Sequence, residues 1–291
     1  GLGHDAYIVI DREQSLAKQV ILSMEKVVQD RRVFIDPREA LPMVTARSLL
    51  IVVDTHSPTF VESEEVLRAA ARVVVIDHHR MMVKHLDNAL VFYHEPYASS
   101  ASEMVAELVQ YISGNCLGRV EAEALMAGIM LDTKSFVLKT GVRTFEASAY
   151  LRRRGADTVE VKRLFSNSID TYKAKSQLVS SAEIYNNCAI ACSEENIPDI
   201  RVASAQAADE LLSIQGVTAS FVLFQAGNTV NISARSLGDV NVQILMEALG
   251  GGGHLTMAGA QLENCNMREA RQKLISVLNE QLESATQRDH S

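Results

Sequence analysis

Three acids stand where apolar runs end, and their neighbours are residue types that bind divalent cations. Leu49–Val53 passes straight into Asp54-Thr55-His56, and Val73–Ile76 passes straight into Asp77-His78-His79. A third acid, Asp132, closes the stretch Gly128-Ile129-Met130-Leu131 and is followed by Thr133. One acid after an apolar run is usually a simple boundary residue. Two strand-like runs ending this way, one in Asp-His-His, aim several ligands at one place, because the carboxyl ends of neighbouring parallel strands line a common crevice. Carboxylate-rich donors with some imidazole suit Mn²⁺ or Mg²⁺ better than a structural zinc. A pair of such ions can clamp the attacking water and the leaving oxygen of a phosphodiester.

The other chemical feature is Gly250-Gly251-Gly252-Gly253-His254. Glycines let the backbone approach a ligand and present N–H groups to an anion, and His254 adds a side-chain donor. Arg235-Ser236 lies upstream at the end of a strand-like run, and Arg suits bidentate phosphate contact. A flexible hinge beside a surface Arg is the plain alternative. His4, His56, His85 and His94 lack a partner pattern and read as surface or packed histidines; His56, two residues from Asp54, is the least settled of the four.

The elements that must position these groups change character along the chain. Ala6–Ile10, Leu49–Val53 and Val73–Ile76 are nearly continuous in Ile, Val and Leu, the pattern of strands buried on both faces. A crossover helix is expected over 61–71 and a further strand over Ala89–Tyr93. Ser100 with Glu103 reads as a capping box ahead of Met104–Ile112. Helices follow over Glu121–Leu131 and Phe145–Arg154, the latter stopped by Gly155. The stretch Val159–Ile184 is helical, amphipathic and charged. Beyond it, strands are expected at Cys188–Cys192, Ala219–Gln225 and Thr229–Ala234, the last two joined by an Ala-Gly-Asn turn, with helices at Ala205–Ile214, Val242–Leu249 and Met267–Glu283. The predicted fold class is α/β, a doubly wound, mainly parallel sheet over residues 1–158. A helical linker over 159–185 leads to a second, smaller α+β domain over 186–291.

At 291 residues, with 47% hydrophobic and 22% charged residues, the chain has material for two cores. A net charge of −8 argues against a coat for long nucleic acid, which normally carries a basic excess. It leaves room for a small phosphorylated ligand, because bound cations reverse the local field. Cys116, Cys188, Cys192 and Cys265 are scattered and read as structural thiols of a reducing, cytoplasmic compartment. No apolar run reaches the ~18–20 residues of a membrane span, and no signal peptide is recognisable.

Taken together, these motifs resemble those of the DHH/DHHA1 phosphoesterases, through Asp77-His78-His79 and Gly251-Gly252-Gly253-His254. The nearer resemblance is to the catalytic region of GdpP-type cyclic di-AMP phosphodiesterases. It is carried by Ile51–His56, Val75–Arg80, Glu95-Pro96-Tyr97-Ala98-Ser99-Ser100 and Asp132-Thr133-Lys134-Ser135-Phe136. The resemblance implies a Mn²⁺-dependent hydrolase opening cyclic di-AMP to linear 5′-pApA, with two ions in a complete site. The alternatives are a nanoRNase-like hydrolase of short oligonucleotides and a catalytically incomplete nucleotide-binding module.

By the same resemblance Asp54 bridges the ions, His78 and Asp132 ligate one of them, and Asp77 orients His78. His79 lies by the scissile phosphate, so that His79 and Asp77 form the catalytic pair. Arg235, Ser236, Gly251, Gly252, Gly253 and His254 cradle the substrate. The family's opening His-x-x-Asp-x-Asp motif is not in this sequence, and His4-Asp5 has the wrong spacing to replace it. Only three of the expected metal ligands are therefore present, and the chain as given is expected to be impaired. The resemblance also implies a membrane-anchored parent protein and is compatible with a homodimer.

Overall fold

A computed structural model describes residues 4–12, 17–27, 32–112, 117–166, 168–195, 197 and 200–288. Cys116 lies outside them. The chain divides into two compact units, Gly1–Ser166 and Asn167–Ser291.

In the first unit, β1 (Ile8–Val9), α1 (Lys18–Val27), β2 (Phe34–Ile35) and α2 (Pro37–Ala40) precede β3 (Leu50–Val53), α3 (Glu64–Ala69), β4 (Val73–Asp77) and β5 (Val91–His94). Four helices complete it: α4 (Ala101–Ile112), α5 (Arg119–Asp132), α6 (Val142–Arg153) and α7 (Thr158–Leu164). Strands β1 and β2 form a parallel pair, and β3-β4-β5 form a parallel three-stranded sheet. The register sets Val52, Val75 and Phe92 side by side and Val53, Ile76 and Tyr93 on the opposite face. Alternation then decides burial. One face packs Val52, Val73 and Val75 under Leu67 of α3 and Leu86. The other leaves Ile51, Val53 and Val91 just over half exposed. The expectation of strands buried on both faces therefore fails for β3, because α3 and the segment carrying Leu86 cover one face only.

Helix starts obey local chemistry. Ser63 caps α3 by accepting from the Val66 N–H, and Asp36 and Glu39 close a reciprocal capping box on α2. The box expected at α4 forms only in half. Ser100 Oγ accepts from the Glu103 N–H, but the Glu103 carboxylate turns to the hydroxyl and N–H of Ser99.

In the second unit, α8 (Ile169–Ser180), β6 (Glu183–Tyr185), β7 (Cys188–Ser193), α9 (Ile200–Leu211), β8 (Ala219–Ala226) and β9 (Thr229–Ser236) are followed by α10 (Val242–Ala248), β10 (Gly252–Gly253), β11 (Met257–Glu263) and α11 (Met267–Arg288). The sheet runs β10-β11-β9-β8-β7-β6, antiparallel except between β7 and β8, which α9 connects. Phe221 and Leu223 of β8 point towards α10 and α11, and Val222 towards α8 and α9, so this apolar run is buried on both faces. The stretch read as helical over 159–184 holds two helices and the start of a strand. Ser168 begins α8 afresh by accepting from the Thr171 N–H, and Ile184 sits in β6.

The glycine run is a packed edge strand rather than a hinge. Gly252 and Gly253 pair with Gly259 and Ala258 of β11. A Cβ on Gly251 would stand 2.1 Å from the Gly259 carbonyl oxygen, and one on Gly253, at φ +145°, 2.4 Å from the Ala258 Cα; at Gly252 it would meet nothing within 4 Å. Gly251→Ala and Gly253→Ala are therefore expected to cost at least ~1–3 kcal/mol each, and Gly252→Ala about 0.5 kcal/mol or less. Urea unfolding midpoints check this; an equal loss at Gly252 would mean that the run is glycine-rich for some reason other than close backbone approach.

Candidate metal centre

β3 and β4 end side by side, and the residues just beyond them converge. The Asp54 N–H still donates to the Ile76 carbonyl (3.0 Å), but Asp54 itself adopts φ +64°, a left-handed conformation that a non-glycine residue adopts only at a cost. Its carboxylate lies 3.4 Å from His78 Nε2, and the Asp132 carboxylate lies 3.6 Å from the same nitrogen. Asp54, His78 and His79 each offer a ligand atom within 4.8 Å of the others.

The imidazole tautomers are set by what their partners can do. His78 Nδ1 faces the Ala98 carbonyl at 3.2 Å. A carbonyl only accepts, so Nδ1 carries a proton and Nε2 is the nitrogen that faces the two carboxylates. This corrects the expectation that Asp77 orients His78. Asp77 ends β4 fully buried, and its hydrogen bonds go to other residues. There it accepts from His79 Nδ1–H (2.7 Å), from the His79 N–H (3.2 Å) and from His56 Nδ1. Burial would raise the Asp77 carboxyl, but the hydrogen bonds from the His79 and His56 rings override it and hold the group far below the usual carboxylate range. The bond to Asp77 in turn raises His79, against its desolvation.

Asp132 reaches the site from the last turn of α5, where an acid opposes the helix dipole by ~0.3–1 kcal/mol and no basic residue compensates. The turn beyond it locks the carboxylate in place. Thr133, fully buried, donates through Oγ1 to the Ile129 carbonyl (2.7 Å) and accepts there from the Phe136 N–H (2.9 Å). Its own carbonyl takes the Val137 and Leu138 N–H groups. Between them Lys134, Ser135 and Phe136 all have positive φ, a left-handed turn of ordinary residues. Desolvation first, then repulsion from Asp54, raises the Asp132 carboxyl to about 6.

Two carboxylates facing one imidazole nitrogen, with one acid strained and the other desolvated, fit a hard divalent cation. The donor set is oxygen-rich with a single well-oriented nitrogen. Asp54, His78 and Asp132 would hold the ion, and His79 borders it.

Two histidines that the sequence left as surface or packed residues belong to this architecture. His56, read as a surface or packed residue, is 1% exposed and bonded to Asp77. His94 ends β5, pairs with Asp77 in register, and donates from Nε2 to the His79 carbonyl (2.5 Å). The rule that picked out Asp54 and Asp77, a polar residue at a strand's carboxyl end, would have found His94 as well.

In the second unit Arg235 is 8% exposed rather than a surface residue. Its Nε donates to Asp209 (3.0 Å) and its Nη1 to the Ala234 carbonyl (2.9 Å). Ser236 Oγ accepts from the Gly238 and Val240 N–H groups. The N–H groups of Gly250, Gly251 and His254 donate to the carbonyls of Glu247, Met246 and Met257.

The model of the DHH family, N-terminal domain, matches residues 7–129, and that of the DHHA1 domain matches residues 194–284. The chain is a DHH–DHHA1 protein. Members of this phosphoesterase family depend on metal, in keeping with the cluster of Asp54, His78 and His79. The chain is 46% identical over 284 residues to a cyclic-di-AMP phosphodiesterase, GdpP, of Geobacillus thermodenitrificans, covering 96% of this chain and 43% of that one. It is 43% identical over 279 residues to a cyclic-di-AMP phosphodiesterase, PdeA, of Listeria monocytogenes, covering 94% and 42%. The DHH–DHHA1 chain thus spans less than half the length of these curated relatives. An exopolyphosphatase-related protein from Bacteroides fragilis superposes with a TM-score of 0.77 at 20% identity, covering 94% of this chain and 91% of that one, a likeness of fold. No helix among the described residues is long and apolar enough to cross a membrane.

The raised Asp132 carboxyl fixes the sign of a stability effect. A folded-state value of about 6 against 3.8 means that the metal-free protein loses stability as pH rises through that window. At neutral pH, metal-free Asp132→Asn should melt about 2–4 °C above the unsubstituted protein. Added Mn²⁺ or Mg²⁺ should raise the melting temperature of the unsubstituted protein only. Differential scanning fluorimetry in EDTA and then in excess metal reads both effects, and an equal metal shift in the two proteins would remove Asp132 from the ligand set.

Proposed function

We propose that this chain is the catalytic region of a Mn²⁺-dependent phosphodiesterase that hydrolyses cyclic di-AMP to linear 5′-pApA. The observation that carries the reading is the convergence of Asp54, His78 and Asp132 on one point, together with the names borne by the relatives of 43–46% identity. Two ions are expected in a complete site, and the bound metal would supply an activated water and charge neutralisation for the phosphodiester. The chain's own groups supply position. The Ala98 carbonyl fixes His78 Nδ1 as a donor and so turns Nε2 towards the carboxylates, and Asp77 holds His79 by its Nδ1–H, so that the far edge of the ring is the one a scissile phosphate would meet.

In the second unit, Arg235, Ser236, Gly251, Gly252, Gly253 and His254 are assigned to the substrate. Arg235 is suited to the task because Asp209 and the Ala234 carbonyl fix its guanidinium plane before any phosphate arrives. A membrane-anchored parent and a homodimer are part of the same reading.

The test uses the full-length native protein with Mn²⁺ and cyclic di-AMP, its product resolved by chromatography. Cleavage to linear 5′-pApA is expected, with Asp54→Ala reducing it more than ~100-fold, beyond the usual losses for residues that only support a ligand. His78→Ala should do likewise while changing the melting temperature little. Intact cyclic di-AMP, or an Asp54→Ala protein as active as the parent, would refute the assignment. Faster cleavage of the linear dinucleotide would transfer it to short oligonucleotides.

A further inference from the structure

The buried side of the metal centre contains a closed circuit of hydrogen bonds. The Met82 N–H donates to His56 Nε2 (2.9 Å), so this nitrogen is the acceptor and Nδ1 carries the proton. His56 Nδ1 then donates to Asp77 Oδ2, while Asp77 Oδ1 accepts from the ring and backbone of His79. Met82 is three residues beyond His79, so the chain itself closes the loop. His56 is 1% exposed and Asp77 is fully buried. The Met82 contact also forbids a flip of the His56 ring, which would set a carbon against Asp77. A second bond, from the Leu86 N–H to the His56 carbonyl (2.9 Å), fastens the same segment to the same residue.

We propose that His56 is a positioning residue of the metal centre: by occupying Asp77 Oδ2, it reserves Oδ1 for His79 and so fixes which His79 nitrogen carries the proton. Without a donor at position 56, the fully buried Asp77 loses the hydrogen bond to Oδ2. The carboxylate then turns to recover hydrogen bonds, and the His79 ring loses its single orientation. This inference rests on the metal-site reading and concerns how that site is held, irrespective of the substrate.

The test needs no substrate. Long-range ¹H–¹⁵N correlation spectra of the imidazoles, recorded on metal-free protein at alkaline pH with the His79 signals assigned by their absence in His79→Gln, report the tautomer. The unsubstituted protein should show His79 in the Nδ1–H form. His56→Ala should convert it to a mixture and weaken Mn²⁺ binding, read by calorimetry with the metal alone, by about 10–100-fold. His56→Asn, whose amide N–H falls where Nδ1 lay, should keep the Nδ1–H signature.

A folded His56→Ala protein with an unchanged His79 signature overturns the proposal and leaves His56 a packing residue. Should His56→Ala fail to fold, His56→Asn and His56→Gln carry the comparison, because Gln reaches only the Nε2 position; identical signatures for the two would overturn it equally. A protein that binds Mn²⁺ in this way and yet leaves cyclic di-AMP intact would refute the phosphodiesterase reading while leaving the role of His56 standing.

Discussion

An ionised carboxylate without solvent contact persists only where hydrogen bonds and opposite charge replace its lost hydration. Asp77 meets that condition with two imidazoles and a backbone N–H, and it is the fixed point of the first unit. Its backbone pairs with β5 at His94, whose ring returns to the His79 carbonyl. Its side chain fastens His56, just past β3, and the start of the segment leaving β4. The three strand ends are therefore joined by polar contacts as well as by the ladder. Removing one partner from such a network leaves another buried polar group unsatisfied, which typically costs about 1–3 kcal/mol.

Around this point the two adjacent histidines are held by unrelated means. His78 takes its orientation from the Ala98 carbonyl, in the turn that Ser99 and Glu103 stabilise at the head of α4. His79 takes its orientation from Asp77. The acids are placed at a local disadvantage, Asp54 in left-handed backbone and Asp132 against a helix dipole. These penalties, of order 1 kcal/mol each, have no return in the metal-free chain. They make sense for a protein whose native state includes a cation, where binding energy is also folding energy.

Much of this is legible in the amino-acid sequence. Runs of Ile and Val ending in Asp54 and Asp77 place those residues at the carboxyl ends of neighbouring parallel strands, and β3 and β4 do pair that way. Asp132 is legible because it breaks an apolar stretch. The role of Asp77 is not: the resemblance pairs it with His78, whereas its carboxylate is taken by the rings of His79 and His56. His56 escapes for a related reason: its partner lies 21 residues away, and spacing within a motif carries no information about that. The glycine run is ambiguous in another way. Freedom of the backbone and close approach of a second strand leave the same residue in the sequence, and only the position of Gly259 and Ala258 tells them apart. Ser168, which restarts a helix within a continuous amphipathic pattern, is a capping signal outweighed by periodicity.

The turn after Asp132 has an evolutionary consequence. Bonds from Ser135, Phe136, Val137 and Leu138 all return to Met130 or Thr133, and the three residues between helix and loop wind in the opposite sense to the helix they leave. Adding or deleting one residue there would alter the handedness count and swing the carboxylate off its mark. Divergence in this stretch should proceed by exchanging side chains at constant length, whereas loops remote from the ion can grow or shrink. Length, more than identity, is what selection has to guard at this corner of the molecule.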